Sequence, residues 1–232
     1  MKEVVMREHR AALGLALGLA LVGFACGHPE QKVLDQYFGA LNAQDTQTLS
    51  AFAVVSLDTK GKRVDKWTIV GSTEEAREPA PLPELVRKLK EADAAVTENK
   101  KAANAFALDN LSEVDQVREL TKKGAPIPTK LKATAEKWED FNAKDRELKK
   151  ALAETKEAVE REKRNVTLSL GTQDNIEDMT GEMVTKSLDL ALSIGGEVQN
   201  HTVTLRKYDM SAGQTAPRTV NRWVIYSIQP KA

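Results

Sequence analysis

The sequence predicts an α+β protein in which short N-terminal helices pack on a curved antiparallel sheet. A long antiparallel two-helix coiled-coil hairpin is inserted into it. Three observations carry this prediction. An apolar stripe at helical spacing opens the domain, two heptad seams fill the middle of the chain, and three alternating runs with turn signals between them close it.

Residues 1–25 precede the folded part. Lys2, Arg7 and Arg10 form a positive segment, and Ala11 to Ala25 form an apolar run of residues broken only by glycines. A spanning helix needs about 20 apolar residues, so this run is short for a permanent anchor. Gly23 and Ala25 place small residues where a signal peptidase cuts, and Cys26, the one cysteine of the chain, follows directly. An exported chain with a single thiol cannot form an internal disulfide, which points to another use for the sulfur.

The stretch "LALVGFACGH" resembles a bacterial lipoprotein signal, in which the cysteine becomes the first mature residue and carries a lipid. The resemblance implies lipid attachment at Cys26, a tether over 26–30, and a membrane-anchored place in the bacterial cell envelope, periplasmic or on the outer membrane. Such signals carry Leu and a small residue where this chain has Gly23 and Phe24. Ordinary cleavage after Ala25 and an uncleaved anchor therefore stay open.

The first part of the α+β domain is expected over 31–78. Lys32 to Ala43, "KVLDQYFGALNA", sets Val33, Leu34, Tyr37, Phe38 and Leu41 on one helical face. Asp45 and Thr46 offer an N-cap to a short second helix reaching Leu49 and Phe52. Ala53 to Leu57 and Arg63 to Val70 then alternate like two strands joined by the turn Asp58 to Lys62.

The helical insertion is expected over 79–164. Pro79, Pro81 and Pro83 stop the strand and launch a helix, with Pro83 able to sit in its first turn. Leu82, Leu85, Leu89, Ala92, Val96, Ala103, Phe106, Val117 and Leu120 follow at gaps of three and four, with polar beats at Asn99, Asn110 and Glu113. Gly124, Pro126 and Pro128 end this seam, and a second runs through Leu131, Ala135, Trp138, Phe141, Leu148, Leu152, Thr155 and Val159. Two such helices fold back on each other most simply, and at 1.5 Å per residue each arm reaches about 55 to 60 Å.

The second part of the domain is expected over 165–232 as strands. Leu188, Leu190, Leu192 and Ile194 share one face of a run that Gly195-Gly196 turns into Glu197 to Lys207, and Arg218 to Ile228 supplies a third strand. With the insertion set aside, "VLDQYFGALNAQDTQTLSAF" and "NRWVIYSIQ" resemble the first two helices and the last strand of the nuclear transport factor 2-like superfamily. That resemblance implies a cone-shaped α+β fold. A fold shared by enzymes, binders and structural subunits implies no activity.

Balanced charge, 34 Lys+Arg against 34 Asp+Glu, and the lack of any basic run interleaved with aromatics argue against nucleic-acid binding. No metal-ligand spacing and no phosphate-binding glycine loop is present, so no metal or cofactor is expected. Candidate acid and base groups for a cone cavity are Asp35, Tyr37, Asp189, His201 and Tyr226, and Tyr37, His201 and Trp223 are the expected pocket lining. His201 shares strand parity with Val203 and Leu205, which turns it inward, whereas Asp189 opposes the leucine row. No catalytic residue is assigned, because no acid, base and nucleophile accompany one another. The expected role is a non-enzymatic interaction or spacer module using the hairpin, with a protein partner there or self-association through the seams. A small-ligand binder or enzyme using the cone is the alternative. The acceptor-like triplets at Asn165 and Asn200 are taken as chance.

Overall fold

The computed structural model describes residues 29–172, 174–212 and 221–231. The stretch 1–25 expected to be a signal, and Cys26, lie outside the described residues.

Helix α1 (Pro29–Asn42) begins inside the stretch expected to be tether, and it buries Glu30 along with Leu34, Tyr37 and Phe38. Glu30 is tied to the sheet through Lys186, whose ammonium lies 2.6 Å from its carboxylate. Residues 29 and 30 are thus part of the fold and not of a tether, and Glu30 has a charged partner on a strand. Helix α2 (Thr46–Ser50) is capped as expected: the Asp45 carboxylate accepts the Thr48 N–H at 2.9 Å.

Strand β1 (Val64–Ser72) follows a turn in which Lys60 and Gly61 take positive φ. Ala53 to Leu57 does not form the expected strand. Ala53 makes one isolated parallel bridge to Ile225, and the Tyr37 hydroxyl takes the Leu57 N–H at 2.7 Å, so a side chain replaces a strand partner here. A further strand absent from the sequence expectation, β2 (Ala76–Pro79), precedes the helices.

The expected first seam is divided. Helix α3 (Pro81–Asp109) starts with proline in its first turn and stops at Asn110, where φ −122° and ψ 35° leave the helical region, and α4 (Leu111–Lys122) begins anew. Gly124 at φ +65° closes α4, and α5 (Lys132–Leu170) runs six residues past the expected end at 164 before Gly171 ends it at φ +71°. No helix among the described residues is long and apolar enough to cross a membrane.

Strands β3 (Thr180–Ile194) and β4 (Glu197–Ser211) pair along their whole length about the expected Gly195-Gly196 turn, where both glycines have positive φ. Strand β5 (Val224–Pro230) completes a curved, open antiparallel sheet of order β1-β3-β4-β5, with β2 also paired to β3. The fold is therefore α+β.

Alternation along β3 decides where each helix goes. Val184, Leu188, Leu190, Leu192 and Ile194 pack with Val203, Leu205 and the α1 residues Leu34, Tyr37 and Phe38 in one core. Met183 adjoins Val184 and so points the other way, where it joins Tyr208, Met210, Leu82, Val86, Val159, Val166 and Leu170 in a second core. Helices α1 and α2 thus cover one face of the sheet, and the roots of α3 and α5 cover one end of the other. Beyond the roots, α3 and α5 pack on each other in opposite senses. Asn99 donates its amide to the Phe141 carbonyl at 3.2 Å, and the Phe106 and Phe141 rings lie 5.6 Å apart.

Candidate functional site

The three residues expected to line a pocket come from α1 (Tyr37), β4 (His201) and the position just before β5 (Trp223). All three are buried. The Tyr37 hydroxyl donates to the Val55 carbonyl at 3.4 Å while accepting the Leu57 N–H, and burial raises its pKa more than hydrogen bonds from Leu57 and Ser56 lower it. His201 stands opposite Leu190 and Pro230, as parity predicts, at 5% exposure. Its Nδ1 has no hydrogen-bond partner among the described residues. Trp223 belongs to the first core and lies under the Lys207 ammonium, 4.5 Å from its ring. Tyr37 and Trp223 share that core.

The other candidates are dispersed. Asp35 is exposed on α1. Asp189 faces away from the leucine row, accepts the Thr202 hydroxyl at 2.8 Å and pairs with Lys231 at 2.6 Å. The Lys231 bond, then the Thr202 bond, lowers its pKa. Tyr226 stacks with the Arg206 guanidinium at 3.4 Å. These acids and bases do not meet around one reaction centre, and among the described residues no three His, Cys, Asp or Glu side chains could hold a metal.

Among the described residues, cavities lie elsewhere along α5. One, of about 330 Å³, opens where Ala95, Asn99 and Ala102 of α3 face Phe141, Lys144 and Leu148 of α5. Small residues and a buried amide leave the seam underfilled there. Asn99, read from the sequence as a polar beat, is only 5% exposed and makes its bond to the backbone of the opposite helix.

The far end of these helices carries apolar surface. Leu108 and Leu111 are 73% and 55% exposed on either side of the Asn110 break. Around it, the Thr134 hydroxyl bonds the Glu113 carboxylate, and the Arg118 guanidinium lies 4.4 Å from the Trp138 ring. Those contacts advance together along α4 and α5, in contrast to the opposed senses of α3 and α5. Helix α4 therefore turns away from the line of α3.

The larger cavity, about 600 Å³, lies between α5 and the 3₁₀ turn Ile176–Asp178, with Glu160, Lys163, Arg164 and Thr167 on the helix side. Lys163 is held by Glu177 and by Glu160 at 3.1 Å, and the bond to Glu177 is the main reason its pKa is raised.

On the opposite face of the same turns lies a polar group that sequence reasoning missed. Glu162, Asn165 and Ser169 are buried with Tyr208. The Tyr208 hydroxyl donates to Glu162 at 2.6 Å, and Asn165 Nδ2 donates to the other carboxylate oxygen at 3.1 Å. Burial, then the Glu162 charge, pushes the Tyr208 pKa far above the usual phenolic range. The signal was present: 159, 162, 166 and 169 recur on one helical face, apolar at two positions and polar at the others. Burial also removes Asn165 as a modification acceptor. The chain matches no protein family, no curated protein and no solved structure.

Proposed function

We propose that this chain is a lipid-anchored protein of the bacterial cell envelope that acts as a non-enzymatic interaction or spacer module. In this reading α3 and α5 form a projecting coiled-coil hairpin with α4 at its far end. The observation that carries it is that the contacts of α5 with the second core lie between Val159 and Leu170 among the described residues. Its residues 132–158 extend about 40 Å further, packed on α3 and α4. A helix pair that long adds little to the core it leaves, so reach or recognition accounts for it. The exposed Leu108 and Leu111 at the far end support recognition. The apolar run ending in Cys26 supports the anchor. The sheet with α1 and α2 on one face supports a nuclear transport factor 2-like cone, and its Tyr37 and Trp223 then serve packing.

The test compares the full chain with a variant in which 93–154 is replaced by a short glycine-rich turn, keeping Val86, Val159 and Glu162 in place. The variant loses the helical signal of the removed residues, still unfolds cooperatively, and loses the proteins that co-purify with the full chain. Recovery of the same proteins from both refutes the role of the arm. Intact mass of the mature chain shows a diacylglyceryl Cys26; a free Cys26 or a retained signal refutes the anchor.

The buried, unpartnered Nδ1 of His201 favours a second reading, a small-ligand binder or enzyme using the inner face. Loss of ligand-induced shifts in a His201→Phe variant would support it, and a featureless screen of small molecules by ligand-observed NMR would remove it.

A further inference from the structure

The last turns of α5 differ from the rest of the helix in what they touch. Apolar packing is non-directional and lets one helix slide or swing on another with little change in buried area. Hydrogen bonds in a dry site do not, since any shift strands a donor or an acceptor.

At the root of α5 bonds come from several sides, the Glu162 and Tyr208 bonds among them buried and those of Arg222 and Lys163 nearer the surface. Glu162 takes the Tyr208 hydroxyl and the Asn165 amide on its two oxygens. Ser169 Oγ accepts the Tyr208 N–H at 2.8 Å and donates to the Arg222 carbonyl at 2.9 Å. Arg222 in turn donates its backbone N–H to the Ser169 carbonyl at 3.0 Å and Nε to the Leu168 carbonyl at 2.5 Å. These last two bonds satisfy carbonyls that a helix end otherwise leaves open. On the outer side Lys163 holds Glu177. Residues 162–169 are thus bonded to β4, to the segment entering β5 and to the turn before β3.

We infer that this set of hydrogen bonds is a lock that fixes the direction in which α5 leaves the sheet. The far end of α3 and α5 is held at a set position and does not swing about the root. The inference rests on the outward extension of these helices, as the proposed function does. It holds with or without a lipid at Cys26 or a partner at the arm, so a failed pull-down leaves it standing.

The test places spin labels on Glu147→Cys in the arm and Gln229→Cys on β5 in the full chain carrying Cys26→Ser, and reads the distance distribution by pulsed electron resonance. The parent gives one narrow distance. Tyr208→Phe, which removes the hydroxyl and leaves Glu162 short of a donor, broadens it at least about twofold. Glu162→Gln, whose carbonyl still accepts from Tyr208 while Asn165 can turn its amide, stays narrow. Asn99→Ala, out on the arm, leaves the width unchanged. An unchanged width in Tyr208→Phe with native circular dichroism overturns the inference, as does equal broadening by Asn99→Ala. If Tyr208→Phe fails to fold, Ser169→Ala decides the matter by the same readout.

Discussion

Asn42 closes α1 and does for β1 what a neighbouring strand would do. Its Nδ2 donates to the Val64 carbonyl and its Oδ1 accepts the Val64 N–H, both at 2.8 Å. Val64 is 4% exposed and stands at the outer edge of the sheet, so few other groups can take over those bonds. Asn42→Ala removes both partners at once. Each stranded backbone group costs about 1 to 3 kcal/mol, and because Asn42 is only partly buried water can reach the vacated side, which points to the lower half of the summed range, about 2 to 4 kcal/mol. For a chain of this size that is a fall in Tm of roughly 5 to 15 °C. Urea unfolding followed by circular dichroism should show a lower midpoint at unchanged slope. Asn42→Asp keeps the acceptor and loses the donor, so its midpoint should fall between the other two. A midpoint for Asn42→Ala within about 0.5 kcal/mol of the parent would refute the reasoning, since that is the range of an ordinary surface substitution.

Gly181→Ala should destabilise by more than about 3 kcal/mol in the same urea assay, because its Cβ would lie 2.1 Å from the Asp209 carbonyl oxygen and the obstacle is backbone. Leu190→Ala, at a fully buried position of the inner core, should cost about 3 to 5 kcal/mol, read as a drop in Tm. Asp189 has a lowered folded pKa, so its contribution is present above the unfolded value near 4 and is lost as pH falls through the folded one. Asp189→Asn should flatten the acid limb of stability against pH. Tyr208 has a raised folded pKa, so above about pH 10 the unfolded chain loses that proton first and stability falls with pH. Tyr208→Phe should make the alkaline limb shallower.

Local periodicity made much of the fold legible. The α1 stripe, the Asp45 cap, the leucine row of β3 and the Gly195-Gly196 turn each depend on residues a few positions apart, and each stands where the sequence puts it. The failures share a cause in side chains that bond to backbone groups in place of, or beside, the regular ladder. Ala53 to Leu57 alternates like a strand, but the phenol of Tyr37 takes the Leu57 N–H and no ladder forms. Asn110 reads as one more polar beat in a seam. In the fold its side-chain amide and its own backbone N–H both go to the Phe106 carbonyl, at 3.0 and 3.1 Å, and its backbone leaves the helical region there.

The same logic explains what was and was not visible of the candidate sites. Strand parity needs only the neighbours Val203 and Leu205, so it placed His201 inward correctly. Glu162, Asn165 and Ser169 are polar residues in a charge-rich helix, where the usual expectation is a solvated face. Recognising them as interior requires knowing that Val159 and Val166 turn toward the sheet, a fact set by Met183, Tyr208 and Met210 on strands that come later in the chain. Once that docking is given, the buried carboxylate follows its own chemistry. It must find donors, and the Tyr208 hydroxyl and the Asn165 amide meet it within 3.1 Å. An apolar isostere at 162 would pack against the same sheet yet leave the Tyr208 hydroxyl unpaired. Glu162→Leu should therefore lose more from the stranded phenol than it gains from removing the charge, unless Tyr208→Phe accompanies it. The double variant recovering stability that each single variant lacks is the signature of one coupled group.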